Sequence, residues 1–389
     1  MLREGRLRGP RRGHRSSCDD QGDRGLLQRE DRGVVAIAFQ SREYRPGDET
    51  AINDLYHAVT GRSRSVEDWK WQWVDNPAGR SEMWLIEETL DDGSARLIGH
   101  HGVMPFRATI DGNDCLVGKT ENTMVHPDHR SRILYPRFER RFLAAYEPRF
   151  AMLFSTTGPA AAIRLRKAMG YEYRDPMWID LMRRGFGSVI DLLRARRARE
   201  RSRGSKGHVG TPLETGRFRN ASVVPVDDQG FLSKWSVGLS ASDASAGDLR
   251  LDRSPEVLVW RYGNHPSGVY RAICGAGFLA VVHVRHERIL CVNEIASTDG
   301  DPTRAWEGIG RLASVLGFRV LQIVGSGHGV DHIGGLGRGG WSRLRRTPCG
   351  DPHDSIGMPC LVTAHGAGLG IDFGRSDLGP LVFEGPGRN

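Results

Sequence analysis

The sequence predicts an α/β protein in which one mixed-sheet unit is built twice in tandem. Three observations predict it. Strand and helix patterns alternate at short spacing from Val34 to Leu181. Within that stretch a strand, a helix and a second strand follow one another, which implies a right-handed parallel crossover in an otherwise mostly antiparallel sheet. A motif also returns at a constant offset: Ser65, Glu67, Trp71, Pro77 and Gly79 match Ser254, Glu256, Trp260, Pro266 and Gly268, 189 residues on. The elements of residues 220–365 then repeat the order of those in 34–181, as two copies of one fold would.

Order is expected to begin at Val34, with a strand to Tyr44. A helix follows, with Asp48 placed as N-cap ahead of Ala51, Ile52, Leu55 and Tyr56 at helical spacing. A second helix starts at Ser65, where Ser65 and Asp68 fit a capping box. Strands are read at Met83–Glu88, Leu97–Val103, Arg107–Ile110 and Cys115–Val125, with Asp111-Gly112 as a hairpin turn. A helix over about 134–146 repeats Leu134, Phe138 and Phe142 on one face. Phe150–Phe154 reads as a short buried strand. Pro159 and Gly170 bracket another helix with the usual start and stop asymmetry. Tyr171–Leu181 reads as one closing strand. Later come a strand at Ile289–Ala296, a helix carrying Trp306, Ile309, Ala313 and Leu316 on one face, and a strand at Arg319–Val324. The divisions expected are a tail at 1–33, a first unit at 34–182, an Arg-rich linker with a short helix near Val189–Glu200 at 183–219, a second unit at 220–365 and a tail at 366–389. Trp69, Trp71, Trp73 and Trp84 could line a ligand pocket or fill core beneath a helix; the recurrence of Trp71 as Trp260 favours packing.

Composition narrows the function. The 389 residues are 39% hydrophobic and 26% charged, with a net charge of +8. Of that charge, +3 sits in residues 1–33 and +7 in 183–206, leaving −2 for the remainder. The folded parts are thus near neutral, which argues against a nucleic-acid surface. No apolar run approaches the roughly 20 residues needed to cross a bilayer. The arginines of the N-terminus have no apolar stretch behind them, so export is not expected and the setting reads as cytoplasmic. Six scattered cysteines without a C-x-x-C pair suit reduced thiols. Cys349, His353, Cys360 and His365 match no common zinc spacing, so no metal is expected.

The informative segment is Val125–Tyr135. A loop turning from a strand into a helix aims backbone N–H groups and the positive end of the helix dipole at one point, which suits a pyrophosphate. Arg130 and Arg132 add charge there. The segment VHPDHRSRILYPRFERRFL, followed by a strand and then AAAIRLRKAMGYEYR, resembles the acyl-CoA-binding core of the GNAT acyltransferase superfamily. Val125, Pro127 and Arg130 match its V-x-P-x-x-R strand end, and Gly170-Tyr171 its closing Gly-aromatic pair. The close match covers about 60 residues, and by element order it extends over 34–181.

The resemblance implies two tandem GNAT-like units and an acyl-CoA-dependent acyltransferase, most simply an N-acetyltransferase. Acetyl-CoA or another acyl-CoA would be co-substrate, and a small molecule with an amine or hydroxyl the acceptor. It implies that the pyrophosphate and pantetheine are held by Met124, Val125, Arg130, Ser131, Arg132, Ile133, Leu134 and Tyr135. Glu121, on the same strand, is the candidate general base. Two departures stand out: Ser131 and Ile133 replace the family's loop glycines, and Arg166 stands where many members carry a thiolate-protonating tyrosine. Tyr171 and Tyr173 are alternative proton donors. The second copy offers VNEIASTDGDPTRAW instead of the basic loop, an acidic approach that would repel a pyrophosphate. A lapsed acyltransferase kept as a binding or scaffold protein is the alternative, and an Arg-rich linker that grips nucleic acid is a third.

Overall fold

The first sheet is built from strands that the chain lays down in order and then completes from far away. The computed structural model describes residues 39–130, 134–155, 160–174, 177–201, 210–242, 249–326, 333–348 and 360–362. The first half contains β1 (Phe39–Glu43), helices α1 (Glu49–Thr60) and α2 (Val66–Trp73), and strands β2 (Glu82–Thr89), β3 (Ala95–Ile110) and β4 (Asn113–Val125). It continues with α3 (Tyr135–Tyr146), β5 (Met152–Ser155), α4 (Ala160–Ala168), β6 (Glu172–Arg174), β7 (Met177–Arg183) and α5 (Gly187–Arg201). The second half contains β8 (Gly216–Phe218), β9 (Ala221–Val224), α6 (Gln229–Ser242), β10 (Leu249–Leu251), α7 (Pro255–Leu258), β11 (Arg271–Gly275), β12 (Phe278–Arg285) and β13 (Ile289–Ser297). It ends with α8 (Pro302–Val315), β14 (Val320–Ser326), α9 (Gly334–Arg338), β15 (Ser342–Pro348) and β16 (Cys360–Val362).

The two sheets share one plan. The first runs β1-β2-β3-β4-β5-β16-β6, with β10 beside the end of β3; the second runs β15-β7-β14-β13-β12-β11-β9-β8. Each has a single parallel pair, β4 with β5 and β13 with β14, joined through α3 and α8 respectively. The last strands are exchanged. β7 inserts between β14 and β15 of the second sheet, and β16 inserts between β5 and β6 of the first. The mixed α/β fold expected from sequence is therefore present, but sheet membership crosses the midpoint of the chain in both directions.

Several local details differ from the sequence reading, each for a physical reason. Leu97–Val103 and Arg107–Ile110 are one strand, β3, that runs through Pro105. The Pro105 carbonyl accepts from Asn76 Nδ2 at 2.8 Å, so this residue's missing N–H faces the side where β2 has already ended at Glu82 opposite Val103. A proline is tolerated there because no ladder bond is lost. Tyr171–Leu181 is two strands, β6 and β7, in different sheets. Asp175-Pro176 falls between them, outside the described residues. The Arg-rich 183–219 stretch carries α5, longer than anticipated, and β8. The first expected strand is seen from Phe39 on, residues 34–38 lying outside the described set.

Other local signals behave as their chemistry requires. The Ser65 hydroxyl accepts from Asp68 N at 3.0 Å, and the Asp68 carboxylate accepts from Ser65 N at 3.1 Å. Such a cap contributes about 0.5–2 kcal/mol. Asp48 sits at the N-cap of α1 without capping it, its carboxylate taken by Arg42 instead. Asp111 and Gly112 both have positive φ, at 50° and 80°, the primed turn that suits a twisted two-residue hairpin.

The repeated tryptophans are core. Trp71 Nε1 donates to the Trp260 carbonyl at 2.7 Å, and Trp260 Nε1 donates to the Trp71 carbonyl at 2.9 Å. Their rings stack at 5.9 Å. Residues at equivalent repeat positions thus meet each other across a local two-fold relation. Trp69, Trp73, Leu249 and Leu251 pack into the same apolar cluster, so both halves contribute to one core. On the opposite face of the first sheet, Phe142, Tyr146, Val103 and Leu153 bind α3 to the strands.

Candidate active site

β4 and β5 pair only at Val117–Met152, Gly118–Leu153 and Lys119–Phe154, after which β4 runs on to Val125 while β5 stops at Ser155. The strands part because β4 is bulged. His100 pairs with Met124 and Gly102 with Glu121, so β4 carries one residue more than β3 between these pairs, and Asn122 has φ of 49°. A bulge bends its strand and increases the local twist. Its backbone is anchored by His100, whose Nδ1 lies 2.8 Å from the Asn122 carbonyl and so must carry the proton. Burial pushes the His100 pKa down to about 3, which keeps the ring neutral.

The gap beyond the last β4–β5 pair holds a buried cation. Arg166, from α4, donates through Nη2 to Thr123 Oγ1 of β4 at 2.8 Å and through Nη1 to the Ser155 hydroxyl of β5. Its Nε donates to the Tyr135 hydroxyl of α3 at 3.2 Å. The charge is balanced by Glu139, whose Oε1 lies 3.4 Å from Arg166 Nε. Glu139 also accepts from the Tyr171 hydroxyl at 2.7 Å and lies 2.7 Å from His101 Nε2. Burial opposes ionisation of Glu139, but His101 and Arg166 overcome it and hold the carboxyl well below the usual range. Burial pushes His101 down and Tyr171 up, the latter helped by Glu139, so both are neutral beside this carboxylate, and the Tyr171 hydroxyl donates to it. Against its own burial, Arg166 is raised above the ordinary range by Tyr135 and Glu139.

The residues singled out by sequence are placed as follows. Glu121 is buried on the other face of β4 from Arg166, its Oε2 accepting from Lys119 Nζ at 2.7 Å. Met124 is buried against Leu55 and Tyr56 of α1. Val125 is half-buried, and its carbonyl accepts from Arg130 Nε at 3.4 Å; Arg130 is otherwise exposed. Leu134 packs beside Phe138, Ile86 and Ile98. Ser131, Arg132 and Ile133 lie outside the described residues, as does the Tyr173 side chain. Of the cysteine and histidine set considered for zinc, only Cys360 is described, in β16. Among the described residues no group of three or more His, Cys, Asp or Glu side chains is placed to hold a metal ion.

Sequence reading missed the His101–Glu139–Arg166–Tyr171 network. One signal was available. Glu139 falls on the inward stripe of α3 with Phe138, Phe142 and Tyr146, where an acid must find a buried partner. Naming that partner required the tertiary fold, because Arg166 arrives from a different helix.

The two halves differ at the helix that follows each bulged strand. The second bulge is at Asn293, and Glu294 beside it binds Arg253 at 2.8 Å and the Tyr262 hydroxyl at 2.9 Å. The first turn of α8 is capped by Asp301, whose Oδ1 accepts from Thr303 N at 2.9 Å and from Arg304 N at 3.3 Å. Among the described residues no side chain caps α3, and its first turn holds no acid. The first-turn N–H groups of Tyr135 and Arg137 are thus not taken by a described side chain, whereas at α8 Asp301 takes two.

With this geometry in view, the chain was compared with known proteins. Residues 40–174 match the family model of the acetyltransferase (GNAT) domain. Among curated proteins none matches the sequence. Solved structures match by fold over both halves. A conserved Enterococcus faecalis protein described as a probable N-acyltransferase has a TM-score of 0.56 at 11% identity, covering 84% of this chain and 72% of that one. GCN5-related N-acetyltransferases from Kribbella flavida (12% identity, 85% and 72% covered) and Anabaena variabilis (11%, 84% and 73%) each have a TM-score of 0.52. At such identity the likeness shows a shared fold. The matched segment, 40–174, spans every residue of the splayed-strand site described above.

Proposed function

We propose that the GNAT domain transfers an acyl group, most simply acetyl, from a CoA thioester to the amine or hydroxyl of a small-molecule acceptor by direct attack. The observation that carries this is the conjunction of a bulged, splayed β4–β5 pair with an uncapped helix N-terminus at the end of the same strand. On this reading the CoA pyrophosphate meets the first-turn amides of α3 with Arg130, Ser131, Arg132 and Ile133 around it. The pantetheine follows β4 past Val125 and Met124. An acceptor amine must be neutral to attack, and Glu121 is proposed to take its proton directly or through a water. Attack on the thioester carbonyl is supported by a β4 backbone N–H at the developing oxyanion. Cleavage of the C–S bond then releases a thiolate, which takes up a proton. Tyr171 is a weak candidate for that proton because its hydroxyl is committed to Glu139.

Two observations favour a second reading, a GNAT fold retained for binding alone. The Arg166 guanidinium links Thr123 to Ser155 across the opening, and Lys119 holds Glu121 in a buried ion pair. The second half is proposed as a non-catalytic copy on the strength of the Asp301 cap. No helix among the described residues is long and apolar enough to cross a membrane, and a cytoplasmic setting remains part of the proposal.

The two readings part on ligand binding. Acetyl-CoA at 100 times its dissociation constant should add about 2.7 kcal/mol of stability to the folded protein. An Arg130→Ala, Arg132→Ala double variant should lose that gain. Thermal unfolding with and without millimolar acetyl-CoA measures both. No shift with acetyl-CoA, free CoA or longer acyl-CoAs would overturn the enzyme reading and leave the binding protein.

A further inference from the structure

α5 leaves a line of large apolar residues on its outward side. On the side turned to the second sheet, Ser188, Asp191 and Ala195 are buried, and Ala195 and the half-buried Leu192 pack with Ile289, Cys291 and Val320. The other large apolar residues of this segment point away. Phe186, which leads into the helix, is 95% exposed, and Val189, Ile190 and Leu193 are 46%, 53% and 54% exposed. Phe186, Ile190 and Leu193 recur at helical spacing, and the same outward line continues into Arg194 and Arg197. One helix face thus presents a hydrophobic first half and a cationic second half. Arg184 and Arg319 lie beside its start, both exposed. The stretch 183–206 carries a net charge of +7. Apolar side chains gathered on one exposed line mark a surface that is covered in use.

We propose that this face of α5 docks onto an anionic lipid surface, with Phe186, Ile190 and Leu193 entering the headgroup–acyl boundary and the following arginines resting on the headgroups. Charge selects this occupant over a second copy of the chain. Two such helices laid face to face would bring their arginine-rich halves into one interface, where like charges repel. Shape selects it over a protein groove binder of the usual kind. A ring that is 95% exposed has no protein wall on either side, so a partner would have to supply the entire pocket, whereas a bilayer interface receives a protruding ring without one. A helix with aromatic and aliphatic residues beside basic ones is the composition that lies in a membrane interface, and nearby arginines add attraction to anionic lipid. This requires no spanning segment, and it is independent of whether the splayed-strand site is active.

The test is co-sedimentation of the full chain with vesicles of phosphatidylcholine alone and with about one-third phosphatidylglycerol, a fraction chosen to give a strongly anionic surface. Binding should appear on the anionic vesicles and weaken as salt is raised. A Phe186→Ser, Ile190→Ser variant should bind roughly tenfold or more weakly, given the apolar burial removed. An Arg194→Gln, Arg197→Gln variant should lose the preference for anionic vesicles. These residues are at the surface, so unchanged thermal unfolding of the variants serves as the folding control. Absence of binding, equal binding to neutral vesicles, or a serine variant that binds like the parent would each overturn the proposal. So would concentration-dependent dimerisation, by sedimentation velocity, that the serine variant abolishes.

Discussion

Replacing Arg166 by Met should destabilise the first half of the protein far more than its size would suggest. The guanidinium is buried and contacts Thr123, Tyr135, Ser155 and Glu139. Its removal leaves Glu139 in the interior with one neutral donor, Tyr171, a neutral His101 alongside, and no counter-charge. Breaking a buried pair from one side typically costs about 3–5 kcal/mol, because the remaining charge stays desolvated. In a chain of this size that corresponds to a melting point lower by on the order of 4–6 °C. Glu139→Leu alone should cost a similar amount by stranding Arg166. The double variant Arg166→Met, Glu139→Leu removes both charges and should melt above either single variant. Differential scanning calorimetry at neutral pH makes the comparison. If the two single losses simply add in the double variant, the side chains are not coupled and the account of this network is wrong.

Two further expectations follow from the core. Trp71→Ala should cost about 3–5 kcal/mol, as large-to-small aromatic changes do. The pair Trp71→Ala, Trp260→Ala should cost less than the sum of the single changes, since each indole donates to the other residue's carbonyl; additive denaturation midpoints would contradict the contact. Acidification should weaken the protein from about pH 6.5 downward. His100 and His101 are held neutral by burial in the folded state but take up protons once unfolded, so stability is full above the unfolded pKa and lost as pH falls towards the folded one. The slope is about 1.4 kcal/mol per pH unit for each histidine. Glu139 adds a loss of the same sign only below the ordinary carboxylate range. A His100→Asn variant should show a shallower decline in melting temperature between pH 7 and pH 5, and an unchanged slope would place the sensitivity elsewhere.

The parts of this fold that could be read from sequence were those fixed by local chemistry. Ser65 and Asp68 cap a helix through bonds that span three residues, and Asp111-Gly112 turns a hairpin through its own backbone angles. The repeat at Trp71 and Trp260 was visible because packing had left the same residue type twice; the direct meeting of the two indoles was not. Pro105 looked like a break because its effect depends on which neighbour the strand has at that point, and that neighbour is set by the end of β2. At the site, Val125, Arg130 and the Gly170-Tyr171 pair carried the resemblance, and the bulge that parts β4 from β5 follows from no residue pattern in β4 alone. Glu121 was legible as a carboxylate on that strand, but its engagement with Lys119 depends on how the core closes over both.

The exchange of β7 and β16 has a consequence for synthesis. Ser155, which borders the opening between β4 and β5, pairs across the ladder with Leu361 of β16. The strand that flanks one side of this opening is thus made some 200 residues after the opening itself. As the chain leaves the ribosome, the first sheet has an open edge at β5 throughout translation of the second half. β7 likewise waits for β14 and β15. Long-range strand pairing is slow, and unpaired edges invite misassembly. A ribosome-stalled chain ending before residue 360 should therefore present Ser155 on a protease-sensitive edge, and the acyl-CoA binding proposed above should be acquired only once β16 is in place.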